Sequence, residues 1–298
     1  MPAPLLMLAA TLLFATMGVC VKLAAAHYAT GEIVFYRGLI GALFIAMMAR
    51  VRGGSLRTAV PGMHFWRSAS GVCALCLWFY AIAHLPLATA VTLNYMSSVW
   101  MALFLIGGAV MLGGGRSAVD GRLVATVLVG FAGVALVLRP TLEHDQLWAG
   151  LVGLLSGMLA AMAYLQVTAL GRAGEPEYRV VFYFSLGSVA AGAATMLWTG
   201  PSAHSVRGVL LLLATGVLAT TAQILMTRAY AIGRTLSNAS LQYLGIVFSF
   251  AYGVWLFDDP VTWMALSGML LIVGAGLAAT LLRTQKAPPD STFPASES

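Results

Sequence analysis

Apolar residues in this chain come in runs of about twenty, the length at which a helix crosses a bilayer core about 30 Å thick. Short polar breaks separate them. The runs fall near residues 5–25, 32–50, 64–83, 87–110, 121–139, 147–170, 180–199, 207–231, 236–257 and 260–282. They predict an all-α membrane protein with ten transmembrane helices. Barrel strands would alternate apolar and polar residues over about ten positions, and these runs do not. The breaks at Leu85-Pro86 and Asp258-Asp259-Pro260 are so short that the helices they join should be antiparallel neighbours. No basic segment precedes "PLLMLAATLLFATMGVC", and that run is long enough to span, so it reads as a helix and not as a cleaved signal peptide. From Gln285 the chain turns rich in Pro and Ser and reads as a disordered tail.

Polar residues are expensive inside such runs, yet an amide precedes a tyrosine in two of them, at Asn94-Tyr95 and Gln242-Tyr243. The surroundings match as well. "FYAIAHLPLATAVTLNYMSSVW" leads into the fourth helix and "AYAIGRTLSNASLQYLGIVF" into the ninth. Tyr80-Ala81-Ile82 aligns with Tyr230-Ala231-Ile232, and "VGFAGVALVLR" resembles "LIVGAGLAATLLR". The signals recur five helices apart. Because five is odd, the halves would enter the membrane from opposite sides, as two inverted five-helix repeats. The expected units are 1–140, 141–284 and a tail over 285–298.

With its paired "YAI" segments and a glycine-bearing last helix in each half (Gly130 and Gly133; Gly268 and Gly274), residues 5–283 resemble the drug/metabolite transporter superfamily, EamA type. Asp259 stands where such proteins usually carry Glu. The corresponding acid of the first half is replaced by "GGGRSAVD", and the proline often found early in the fourth helix of each half is replaced around Ser97-Ser98 and Gly245-Ile246. The resemblance implies a secondary transporter of the bacterial inner membrane, most like exporters of aromatic and other neutral amino acids, working by alternating access or facilitated diffusion through a midplane cavity. Export of other amphipathic metabolites or drugs is the alternative.

Composition agrees: 60% of residues are hydrophobic and 9% charged, against about 25% charged in soluble domains. Basic residues set the orientation. Arg50, Arg52, Arg57, Arg67, Arg116, Arg122, Arg172, Arg179, Arg234, Arg283 and Lys286 all fall on one side if the helices alternate; the other side's loops hold Arg139 and Arg207 beside Glu143, Asp145, Asp258 and Asp259. Both termini are therefore expected in the cytoplasm. The net charge of +6 reflects this bias and points to no nucleic acid. The expected partners are a small-molecule substrate and the lipid bilayer, with the chain acting as a monomer.

Asn94, Tyr95, Gln242 and Tyr243 lie well inside their helices, where an amide either glues helices together, worth about 0.6 kcal/mol on average, or lines a cavity. Their recurrence favours the cavity. Gln166 and Gln223 are similar without the symmetry. Trp78, Tyr80, Trp100 and Tyr164 offer an aromatic wall for a substrate side chain, whereas Trp148, Trp198, Trp255 and Trp263 fit the interfacial belt. Lys22 and Arg37 come near the outer ends of the first two helices, where they either snorkel or line the outer mouth; Glu32 offers Lys22 a partner. Gly153, Gly157 and Ala161 form a smooth packing stripe. The carboxylates sit at helix edges, in loops or in the tail, and no His has a spacing partner. Cys20, Cys73 and Cys76 read as buried thiols, without the further ligands a metal would need. No catalytic residue, metal or cofactor is expected, and an intramembrane enzyme is the least favoured reading.

Overall fold

The structure is a computed structural model that describes residues 3–97, 99–101, 103, 104, 107, 121–143, 146–232, 241 and 243–285. Among them ten α-helices follow in order. They are α1 (Ala3–Ala24), α2 (Thr30–Val51), α3 (Pro61–His84), α4 (Leu87–Tyr95), α5 (Gly121–Glu143), α6 (Leu147–Arg172), α7 (Glu177–Thr199), α8 (Val206–Ile232), α9 (Leu244–Phe257) and α10 (Trp263–Gln285). Six of these, α1, α2, α3, α6, α7 and α8, are long and apolar enough to cross a membrane; shorter apolar stretches occupy 124–137, 244–257 and 263–278. Gln242, Asp120, Arg116, Arg234 and the tail beyond 285 lie outside the described residues.

Local chemistry explains several boundaries. Pro61 opens α3, where its missing N–H is no loss, and Pro86 and Pro176 sit at the N-caps of α4 and α7. Gly200 ends α7 at φ 71. The fourth helix breaks where the sequence predicts continuity. Met96 is a turn after Tyr95, and helical residues resume at Ser97 and Val99. Its N–H still reaches the carbonyls of Thr92 (3.2 Å) and Leu93 (3.3 Å), so the backbone stays bonded through the break.

The principal pairings are α1 with α8, α2 with α7, α3 with α6, and α5 with α10, with α4 packed between α6 and α9. Exchanging each helix with the one five places along turns α1·α8 into α6·α3, α2·α8 into α7·α3, and α1·α9 into α6·α4, all of which are present. α2·α7, α4·α9 and α5·α10 map onto themselves. Phe79, Leu93, Met96 and Ile272 are among the fully buried side chains of the main core. Trp198, Trp255 and Trp263, each at least 80% exposed, stand at helix ends as belt residues would. Cys73 is exposed, and Cys20 and Cys76 are half-buried, Cys76 packing against the main core, which corrects the expectation of fully buried thiols.

The glycine-bearing helices meet backbone to backbone. A Cβ on Gly268 would lie 2.7 Å from the Gly133 carbonyl oxygen, and one on Gly133 would lie 2.9 Å from that of Gly268. Gly274 has open space instead. Gly268→Ala is therefore expected to lose about 1–3 kcal/mol by overpacking, whereas Gly274→Ala is neutral or gains up to about 1 kcal/mol of helix propensity. Thermal unfolding of the detergent-purified variants measures both.

Candidate functional site

A cavity of about 90 Å³ lies among α1, α2, α3, α4, α6, α7 and α8. α3 supplies one stripe of its wall, with Arg67, Gly71, Ala74, Leu75 and Trp78 at helical spacing. α4 supplies Asn94 and Tyr95, α6 Tyr164, and α8 Gln223. Five sequence-predicted residues thus share one space: Trp78, Asn94, Tyr95, Tyr164 and Gln223. The volume is below the roughly 300–1,000 Å³ of typical ligand sites.

Asn94 combines the two readings open in the sequence. It lines the cavity and also donates from Nδ2 to Ser156 Oγ at 3.1 Å, while Ser156 donates to the Gly153 carbonyl at 2.6 Å. The small-residue stripe of α6 makes this approach possible: a Cβ on Gly157 would lie 2.5 Å from the Leu93 carbonyl oxygen. Tyr95 and Tyr243, the symmetry-related tyrosines, pack edge to face at 6.3 Å.

Other predicted residues stand outside the cavity wall. Tyr80 stacks on His84 at 4.1 Å. Gln166 accepts a hydrogen bond from Ser70 Oγ at 3.1 Å. Trp100 packs on Phe131 at 5.1 Å. Each has found a neighbour in its own helix or in one packed beside it.

The cations need the largest correction. Arg37 is not at an outer mouth; it is 7% exposed and lines the cavity, because α2 begins at Thr30 and carries it inward to the α7 interface. Arg67, read as a loop-side residue, is 5% exposed and lines the same cavity, because α3 begins at Pro61. Both guanidiniums lie over the Phe184 ring, with Cζ at 5.1 Å for Arg37 and 4.3 Å for Arg67. Sequence reasoning could have found Arg67 through its spacing with Gly71, Leu75 and Trp78.

Lys22 pairs with Asp259 and not with Glu32. Its Nζ reaches Asp259 Oδ1 at 2.9 Å, and Asp259 Oδ2 accepts the Leu87 N–H at 2.8 Å. One carboxylate thus ties the end of α1 to the start of α4 and the α9–α10 turn. Glu32 is held elsewhere: it accepts the Ser202 N–H at 3.2 Å and lies 3.8 Å from His204 Nε2. Toward the other end of the bundle, Glu175 meets His64 Nε2 at 3.0 Å, Thr58 Oγ1 at 2.9 Å and Arg179 Nη1 at 3.1 Å. Two histidines therefore do have acidic partners, contrary to expectation, because the pairing crosses more than a hundred residues of sequence.

Burial alone would raise the Glu175 carboxyl; hydrogen bonds from His64, Thr58 and Arg179, with the charge of Arg179, outweigh it and hold the group below its ordinary value of 4.5. A lowered folded-state value means that its stabilisation is full above 4.5 and disappears as pH falls through the lowered value. Glu175→Gln is expected to lower the melting temperature at pH 7 and to flatten its decline between about pH 5 and pH 3. Melting curves of both proteins across that range check the sign.

The EamA-like transporter family model matches residues 1–139. The pseudopaline exporter CntI of Pseudomonas aeruginosa (strain UCBPP-PA14) is 35% identical over 287 residues, covering 95% of this chain and 96% of the relative. An uncharacterized transporter of Helicobacter pylori (strain J99) is 25% identical over 285 residues, covering 93% of each. A solved crystal structure superposes with a TM-score of 0.63 at 21% identity, over 96% of this chain and 99% of the other, a likeness of fold.

Proposed function

This chain belongs to the EamA-like transporter family, and from that premise we propose that it exports a small amino-acid-like metabolite by alternating access between two inverted five-helix halves. The observation that carries the reading is one central cavity with polar and aromatic walls from both halves: Trp78, Asn94 and Tyr95 from the first, Tyr164 and Gln223 from the second. The exchange of helix pairings five places apart supports the inverted repeat.

In this reading Asn94 and Gln242 hold the polar head of the substrate, directly or through water, and Trp78 and Tyr95 face its apolar part. Neutral and aromatic amino acids are the simplest members of that class. The Lys/Arg bias puts both termini in the cytoplasm of a bacterial inner membrane and the Lys22–Asp259 contact at the outer face. The chain acts as a monomer by facilitated diffusion or exchange, with net export following the cytoplasmic accumulation of substrate.

Liposomes holding the purified protein and loaded with unlabelled phenylalanine are expected to take up labelled phenylalanine by counterflow. Asn94→Leu and Gln242→Leu should each slow it roughly tenfold or more, the scale of a hydrogen bond to a charged group at about 1.5–3 kcal/mol. Passage of glucose or uridine with no amino acid would overturn the substrate reading. Undiminished counterflow in both variants would return the amides to a packing role.

A further inference from the structure

Every buried, unsatisfied side-chain atom on the cavity wall is a donor. Nε of Arg37, Nε and Nη1 of Arg67, and the indole N–H of Trp78 are buried without a hydrogen-bond partner. Among the described residues none of the ion pairs includes Arg37 or Arg67. Phe184 contacts both guanidiniums through its ring face, so they are no further apart than the sum of their distances to it, and they feel each other's like charge. Each buried charge costs several kcal/mol, and mutual repulsion adds to that. A cation–π contact returns about 0.5–2 kcal/mol. Packing alone gives no reason to hold two arginines here. An incoming acceptor group does.

We propose that Arg37 and Arg67 form an anion-binding pair in the central cavity, which takes a substrate carrying two carboxylates on one small apolar or aromatic body. This deepens the transport reading above and rests on it. A guanidinium binds a carboxylate through two parallel N–H···O bonds, so two guanidiniums match two acid groups. Phe184 sets the spacing between the forks, and Trp78 and Tyr164 offer aromatic surface to the part between them. Among the described residues no carboxylate side chain lines the cavity to compete. Gly71 is part of the device. A Cβ there would collide with Nη1 of Arg67 and come within 3.2 Å of Phe184. The glycine therefore lets the Arg67 side chain fold back along its own helix toward the ring.

The test is binding to the full-length purified protein, read by the fluorescence of Trp78 against a Trp78→Phe control and by thermal stabilisation. Benzylsuccinate, its diamide and inorganic phosphate are the probes. Wild-type protein is expected to bind benzylsuccinate at least tenfold more tightly than the diamide. Arg37→Gln and Arg67→Gln should each remove that preference, and Arg→Lys at either position should restore part of it. Gly71→Ala would displace the Arg67 guanidinium and press on the Phe184 ring, so it should weaken the diacid about tenfold, with the melting temperature checking that the variant folds. Equal affinity for diacid and diamide would overturn the proposal without any variant, as would a preference that survives both Gln substitutions. Phosphate binding more tightly than benzylsuccinate would also overturn the dicarboxylate assignment. Counterflow separates this from the transport reading. Diacid binding in a protein that moves no amino acid leaves the arginine pair standing and removes the amino-acid reading; amino-acid counterflow with no diacid preference does the reverse.

Discussion

In hydrocarbon, a backbone N–H or C=O without a partner costs several kcal/mol, and no water is there to supply one. The rest of this structure depends on that constraint. It makes the chain helical wherever lipid can reach it, and it restricts irregular backbone to places enclosed by protein. The turn at Met96 is such a place. Leu93, Tyr95, Met96 and Val99 are all buried, and α6 presses its small-residue stripe against the carbonyls of Leu93 and Asn94. The turn is thus enclosed by protein, and its polar neighbour Asn94 turns to Ser156 and the cavity.

Charge obeys the same rule with larger numbers. Lys22, Asp259, Glu175, Arg179 and Glu32 all sit near helix ends, and each faces an oppositely charged or titratable group. Arg37 and Arg67 lie deeper, and Phe184 is the ring both of them contact. Pairing at the ends and, among the described residues, its absence at the centre separate two roles. A salt bridge between helix ends stabilises one arrangement of helices. An unpaired cation in a cavity leaves its interaction for something that enters and leaves.

The helices were legible because their signal is length and composition, which tertiary context hardly alters. α1, α2, α6, α7 and α8 begin and end within a few residues of their apolar runs. The cavity was legible in part, through symmetry: Asn94 and Tyr95 stood out because Gln242 and Tyr243 repeat them. Arg67 was lost to a boundary. With α3 begun at residue 64, its arginine counts as loop charge; with Pro61 taken as the helix start, it falls on the same face as Trp78. Arg37 was misjudged because distance along a helix says nothing of the face a side chain takes, and here that face is the α7 interface. The Lys22–Asp259 and His64–Glu175 pairs depend on which helix ends meet, and one sequence does not carry that information.

The two His–Glu contacts add a last constraint. Glu32 opens α2, and its neighbours Ser202 and His204 immediately precede α8. Glu175 immediately precedes α7, and its neighbour His64 is in the first turn of α3. Moving each helix five places along carries one arrangement onto the other, so the halves share a clasp as well as a set of pairings. Under alternating helices the clasps lie at opposite faces. Both are made in this one structure, together with the Lys22–Asp259 contact, and the cavity between them is small. On the proposed alternating-access reading, a molecule of the size of an apolar diacid enters when one end parts. On that reading the charged contacts given up at the parting end are worth about a few kcal/mol, the scale of energy that substrate binding to two unsatisfied guanidiniums supplies. On the proposed reading, contacts at the ends and unsatisfied charge at the centre act as one mechanism: the centre favours whichever opened state has let an anion in.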